Sequence, residues 1–388
     1  MAFDKLVNPE QSPFFNWSKP FVQLETTRGC FNTCAFCVSG GEKPVRTLSV
    51  EAIRERVRLI HEKGIRNIRV LDRTFNYQSH RAKALFDLFR EFPDMRFHLE
   101  IHPALLSEEL KKEMASMPKG LLHLEAGIQS LHEEVLTVSR RAGKLADALE
   151  GLRYLCALDN METHADLIAG LPLYHLSQIF DDVRTLAEYH AGEIQLESLK
   201  LLPGTEMRRR AEELGICYSP LPPYEVLQTR EITPDELQTA RQLSRLLDGF
   251  YNAPAWQEIT RRLIVEEPDF LTRFLNHLIQ IGVIDQPMGL ERRGILLYHF
   301  CKEYYPHFLT AMSRAWIEAG MSLKKEPAER VRTKHVTPPE AWTVCTGTYR
   351  DNLRLCKLPA PEEGRCYWYG FETESQQLRP VFAAVSQE

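Results

Sequence analysis

The sequence predicts an α/β fold: a partial (β/α)6 TIM-like barrel followed by a mainly helical C-terminal domain. Two observations predict it. Up to Gly215, six short apolar runs alternate with longer amphipathic stretches; beyond it, a proline cluster at Pro220, Pro222 and Pro223 leads into long helical periodicity. Strand–helix alternation of this kind means a parallel sheet with helices packed outside it. Six units fall short of the eight that close a barrel, so an open barrel is expected, with its functional loops at the carboxyl ends of the strands.

Taken in order, residues 1–20 form an irregular lead-in containing Pro9, Pro13 and Pro20. The core barrel spans 21–217, with strands expected at Phe21–Glu25, Asn67–Leu71, Phe97–Ile101, Leu121–Gly127, Thr163–Ile168 and Ile194–Leu201. Between them lie helical stretches at Val50–Lys63, Arg81–Glu91, Glu108–Met114, Leu145–Ala157 and Leu176–Tyr189. In the first of these, Ile53, Val57, Leu59 and Ile60 recur near helical spacing and Ser49 stands where a cap belongs. A helical domain over 218–323 follows, with helices at Pro234–Phe250, at Trp256–Ile281 (interrupted by Pro268) and at Leu296–Ala319. Residues 324–388 form a charged linker to about 340 and then a small tail with strands at Cys366–Phe371 and Arg379–Val385.

Composition narrows the function. The chain has 388 residues and a formal net charge of −5, which argues against a surface built for nucleic-acid phosphates. No apolar run approaches the roughly 20 residues of a membrane span, and the opening Met-Ala-Phe-Asp-Lys lacks a secretory core, so a cytoplasmic protein is expected. Nine cysteines in a chain this long do not make a disulfide framework; in a reducing compartment clustered cysteines hold metal or do redox work.

Three of them, Cys30, Cys34 and Cys37, fall within eight residues, with three and then two residues between them. A structural zinc site would want four protein ligands, and no fourth cysteine or histidine stands at finger-like spacing. Three thiolates around an iron–sulfur cubane instead leave one iron open for chemistry. The loop follows the first strand, which puts it at the functional end of the barrel. Further strand ends carry polar groups: Asp72-Arg73-Thr74-Phe75-Asn76 after the second strand, Glu125-Ala126-Gly127-Ile128-Gln129-Ser130 on the fourth, and His164-Ala165-Asp166 on the fifth. Gly127 suits a backbone that must approach a ligand closely. Beyond it, Arg140 and Arg141 offer guanidinium groups able to grip a carboxylate.

The cysteine spacing with Phe36 before the last cysteine resembles the signature of the radical S-adenosylmethionine superfamily. The strand-end motifs, together with Leu199–Thr205 and Pro223-Tyr224-Glu225-Val226-Leu227, resemble a subgroup usually fused to a cobalamin-binding domain and followed by a helical domain of unknown function. The resemblance covers residues 20–252. It implies a four-iron four-sulfur cluster on Cys30, Cys34 and Cys37, S-adenosylmethionine on its open iron, and reductive cleavage to a 5′-deoxyadenosyl radical that abstracts hydrogen from a substrate. It further implies that Phe36, Glu125, Gln129, Ser130 and Arg140 line the cofactor pocket, while Asp72, His164 and Asp166 handle substrate or protons. For His164, a satisfied core histidine on a strand is an equal reading.

The partners implied are an external electron donor of flavodoxin or ferredoxin type and a small-molecule substrate, in preference to nucleic acid. The twenty residues ahead of Phe21 are too few for a cobalamin domain, so cobalamin-dependent methyl transfer is expected only with cobalamin held by a partner protein. Two other readings stay open. One is transfer of the aminocarboxypropyl group to a soft acceptor near Cys345, Cys356 and Cys366, which could equally be ordinary buried thiols. The other is a non-catalytic cluster- or zinc-binding interaction protein.

Overall fold

The computed structural model describes residues 7–328, 338–359, 364–372 and 379–387. The chain forms two compact units, Met1–Leu247 and Asp248–Glu388. The barrel unit therefore runs past the break expected at 217. The expected linker lies partly outside the described residues.

In the first unit, β1 (Val22–Leu24), β2 (Asn67–Val70), β3 (Arg96–Ile101), β4 (Leu122–Gln129), β5 (Glu162–Ala169) and β6 (Glu193–Ser198) form one sheet in sequence order. Every adjacent pair is parallel. All six strands overlap the segments expected for them. The crossovers are α1 (Val50–Glu62), α2 (Ser79–Arg90), α3 (Glu108–Ala115), then a short α4 (Glu133–Val138) with α5 (Leu145–Cys156), and α6 (Leu176–Glu188). Ser49 caps α1 as its position suggests, accepting from Ala52 N at 3.2 Å. α4 escapes sequence reading because one and a half turns carry too little periodicity to recognise.

One face of the sheet makes the core. Phe97 and Leu99 of β3, Leu122 and Leu124 of β4 and Ala165 and Leu167 of β5 are fully buried. Phe97 stacks on Phe89 of α2 with ring centroids 3.9 Å apart. The other face alternates with it and is polar: Arg96, His98 and Glu100, then His123 and Glu125, then His164 and Asp166, then Glu193 and Gln195. Barrel interiors are usually filled with branched aliphatic side chains; this one is lined with charge. Residues on all six strands, or just before them, converge on a single cavity at the end where the strands begin, so the sheet is curved. After β6, a short antiparallel pair (Cys217–Tyr218 with Val226–Gln228) leads to α7 (Pro234–Leu246), whose buried Leu237, Ala240 and Leu243 belong to the same unit. A capping box between Thr233 and Glu236 starts that helix.

The second unit holds α8 (Gln257–Glu266), α9 (Phe270–Gln280), α10 (Leu290–Tyr304) and α11 (Leu309–Glu318). Phe250, Phe270, Phe274 and Phe300 form its aromatic centre, Phe274 lying 4.8 Å from Phe300 and 5.0 Å from Phe250 between centroids. The stretch expected as one helix over Leu296–Ala319 is two, because Pro306 offers no backbone donor and forces Tyr305 out of the helical region (φ −137°). Pro268 divides α8 from α9 for the same reason.

The tail is an antiparallel sheet of four strands rather than the two expected: β7 (Thr343–Gly347), β8 (Leu353–Pro359), β9 (Arg365–Glu372) and β10 (Phe382–Gln387), in the order β7-β10-β9-β8. Cys345 is exposed on one outer strand and Cys356 buried on the other, roughly 14 Å apart at ordinary strand spacing. Cys366 packs with Leu353, Leu355 and Trp368, whereas Cys356 pairs in register with Tyr369 on the opposite face. The three thiols share no site, which removes the soft acceptor from the aminocarboxypropyl reading. No helix among the described residues is long and apolar enough to cross a membrane.

Candidate active site

The cysteine loop leaves β1 through a two-residue antiparallel contact, Thr27–Arg28 against Arg46–Thr47, which closes its base. Gly29 sits at φ 99°, and a Cβ there would lie 2.5 Å from Glu42 O. That same carbonyl accepts from Cys30 N at 3.0 Å, so glycine is required for the chain to turn this tightly. Asn32 then ties the loop to the segment after β4: its side-chain oxygen accepts from Ala142 N and Thr33 N, both at 3.0 Å. Ala35 N donates to Ser139 O, and Ala35 O accepts from Met207 N, each at 2.8 Å. Pinned at these points, Cys30, Cys34 and Cys37 line one cavity of about 170 Å³ at the carboxyl ends of β2–β5. Cys30 and Cys34 are buried and Cys37 half-buried.

Charged groups from four loops and strands meet the thiols there. Arg141 places Nη1 3.8 Å from Cys34 Sγ and donates from Nη2 to Gly127 O. Burial pushes the Cys34 thiol up, and the Arg141 charge opposes it. A Cβ on Gly127 would stand 2.5 Å from Gln129 Nε2 and 3.7 Å from Arg141 Nη2, so the space at this glycine is taken by side chains of the chain itself rather than by the ligand expected there. Gln129 itself is left-handed (φ 75°), at a bulge that ends regular pairing with β5. Glu100 is pushed up to about 7, chiefly by burial and then by the charge of Glu125, with Arg73 opposing. Burial and the charges of Glu125 and Glu100 hold Asp166 protonated far above the usual carboxylate range. Its Oδ1 is buried without a hydrogen-bond partner on the cavity wall.

Of the residues expected at the site, Phe36, Glu125, Gln129 and Asp166 join the cysteines on this cavity. Four do not. Arg140 is half exposed and pairs with Glu206; its left-handed backbone (φ 54°) turns the next side chain, Arg141, inward instead. Ser130 lies under the loop, accepting from His132 N at 3.2 Å beside Asp182, which also takes Leu131 N at 2.9 Å. Asp72 is buried and accepts from Thr26 N at 2.7 Å and Thr27 N at 2.8 Å, with Thr26 Oγ1 on its other oxygen. It is a clamp that holds the strand end leading into the cysteine loop. His164 faces the other end of the sheet, among His123, Glu193 and Gln195. Sequence reading missed Asn32, Glu100 and the role of Arg141. The two-residue alternation of β3, Arg96-Phe97-His98-Leu99-Glu100, was the available signal for Glu100.

The residues present fit an iron–sulfur cluster. Three soft thiols open onto one cavity, a cation stands beside one of them, and a buried carboxyl oxygen on the same wall lacks a partner. Thiolates on one zinc ion would sit within about 4 Å of one another; among the described residues no three Cys, His, Asp or Glu side chains form a single-ion site.

A family model described as the radical SAM superfamily matches residues 24–186, and one for a protein family of unknown function (DUF4080) matches residues 212–312. The chain is 29% identical over 213 residues to the tRNA-2-methylthio-N(6)-dimethylallyladenosine synthase of Herpetosiphon aurantiacus, a match covering 50% of this chain and 47% of that protein. It is 26% identical over 207 residues to the ribosomal protein uS12 methylthiotransferase RimO of Prochlorococcus marinus, covering 50% and 47%. The chain thus spans about half the length of these curated relatives. Among solved structures it is similar to the radical S-adenosylmethionine methyltransferase TsrM of Kitasatospora setae, solved with cobalamin and a [4Fe-4S] cluster (TM-score 0.46, 16% identity, 55% of this chain and 41% of that one).

Proposed function

Since the chain belongs to the radical S-adenosylmethionine superfamily, whose members use a four-iron four-sulfur cluster and S-adenosylmethionine, we propose that it abstracts hydrogen from a small-molecule substrate at the cavity beside Cys30, Cys34 and Cys37. The observation that carries this reading is the convergence of the three thiols with Arg141, Glu125, Gln129 and Asp166 on one wall. When bound, the cluster and S-adenosylmethionine supply a 5′-deoxyadenosyl radical able to take hydrogen from an unactivated carbon. Electrons come from an external flavodoxin- or ferredoxin-type donor.

The chain's own residues bind, orient and protonate. Arg141 favours the Cys34 thiolate and presents a cation to a carboxylate group. Glu125, held ionised by its hydrogen bond from His98, offers an acceptor to an ammonium group. Gln129 offers a donor and an acceptor at the rim. Asp166 holds a proton at the cavity wall, available to a reacting group.

A second reading rests on the sequence match to two methylthiotransferases: transfer of a sulfur-bearing group to a tRNA or protein acceptor.

The test is anaerobic reconstitution with iron and sulfide, reduction by dithionite with S-adenosylmethionine, and chromatography of the products. Deoxyadenosine from the native chain, absent with Cys34→Ala, supports the proposal. Release of methylthioadenosine, or no cleavage by a fully loaded protein, defeats it. Methylthio-modified tRNA or protein accumulating in cells that express the chain would favour the second reading.

A further inference from the structure

Beneath the cysteine cavity, the inner face of the sheet carries titratable side chains that no step described so far uses. His98, His123 and His164 stand on adjacent strands β3, β4 and β5. His164 Nε2 lies 2.8 Å from Glu193 Oε2 and 2.5 Å from His123 Nε2. His123 Nδ1 is 3.2 Å from His98 Nδ1, and His98 Nε2 is 2.8 Å from Glu125 Oε2. Glu125 and Asp166 stand on adjacent strands and line the same cysteine cavity, and the charge of Glu125 raises the Asp166 carboxyl. The three rings line an open cavity of about 570 Å³ where the strands begin. Asp166 lines the cysteine cavity at the other end, and Glu125 lines both.

We propose that this series of side chains is a proton relay through the barrel, joining solvent at the strand starts to the reacting centre beside the cysteines. Its use in turnover rests on the function proposed above; the path itself does not. With Glu125 and Glu193 ionised the contacts assign one set of tautomers: His98 carries its proton on Nε2, His123 on Nδ1, and His164 on Nε2, shared between Glu193 and His123. A proton taken up from solvent by His164 lets it hand its Nε2 proton to His123 Nε2, which releases the one on Nδ1 to His98 Nδ1. His98 then releases its Nε2 proton to Glu125, and Glu125 passes one to Asp166 as Asp166 gives its own to the reacting group. At each link one N–H or O–H bond breaks as the next forms, and no electrons move. The reverse direction uses the same contacts.

Three features favour a relay over a packing role. Abutting imidazoles and carboxylates are costly to bury where aliphatic side chains would serve. The nitrogens meet end to end, which packing alone does not require. Burial and the neighbouring charges of His164 and Arg96 hold His123 neutral, at about 3, so one nitrogen is bare and one protonated, as a concerted transfer needs. The other charged groups facing the rings have their own partners: Arg96 pairs with Glu162 at 2.6 Å, and Arg69 lies over the Phe21 ring at 4.3 Å.

The experiment follows the infrared carboxyl band of Asp166, identified by its loss in Asp166→Asn, after mixing full-length reconstituted protein, saturated with S-adenosylmethionine but unreduced, into D2O. In the native chain the band should shift within the mixing time. In His123→Phe and His98→Phe the shift should slow at least tenfold, with His98→Gln as a milder variant should a phenylalanine prevent folding, and melting curves as the check. Exchange within twofold of native in folded variants would overturn the relay. So would a stoichiometric transition metal in the native protein that is lost on His123→Phe, since the rings would then be ligands. Failure of the proposed function would show instead as absent deoxyadenosine, whatever the exchange rate.

Discussion

Arg140 has a left-handed backbone and Arg141 does not, and it is Arg141 that reaches the thiols. Arg140 takes a positive φ and spends its guanidinium on Glu206; Arg141 turns in against Cys34 and Gly127 O. Arg141→Leu should therefore weaken S-adenosylmethionine binding by reconstituted protein at least tenfold, while Arg140→Leu changes it less than twofold; equilibrium dialysis would distinguish them. Asp72 makes the complementary point. Replacing it by Ala strands two backbone donors and a hydroxyl, at a cost of about 3 kcal/mol in urea unfolding, with Asp72→Asn intermediate. The cysteine triad was legible because its spacing is a covalent fact of the chain. The choice between the two arginines was not, since a left-handed residue leaves no mark on composition, and Asp72 was misassigned because a clamp and a catalytic acid look alike after a strand.

At the level of elements, the parallel strands and their crossovers were legible because apolar periodicity and length agree. What escaped was local and cooperative: short α4, the edge strands of the tail sheet, and the break at Pro306. The cysteine loop is stabilised less by its own sequence than by the pins it shares with the segment after β4. Asn32 is the main one, satisfying Ala142 N and Thr33 N together. Asn32→Ala should lower iron occupancy after reconstitution to less than half of native, measured against sulfide, and cost about 2 kcal/mol. Full occupancy in that variant would mean the loop is held elsewhere.

Across the whole molecule, burying Glu100 makes stability depend on pH in a defined direction. Its folded value of about 7 lies above the ordinary 4.5, so the folded state holds this proton more tightly than the unfolded one. Stability should accordingly fall as pH rises from about 4.5 through about 7, then level off. The full effect is at most about 3 kcal/mol, and less where solvent reaches the carboxyl. Glu100→Gln should flatten this slope: in urea titrations of cluster-free protein at pH 5 and pH 8, the variant should lose less stability between the two than the native chain.

The charged lining of the sheet has a thermal consequence. Exposing apolar surface raises heat capacity on unfolding, and exposing polar surface lowers it. A sheet with one apolar face and one polar face releases less of the first and more of the second than an aliphatic-filled barrel. Calorimetry on the full chain should then give a heat-capacity change below the usual ~12–15 cal/mol/K per residue. The stability curve would be correspondingly broad, changing little with temperature on either side of its maximum.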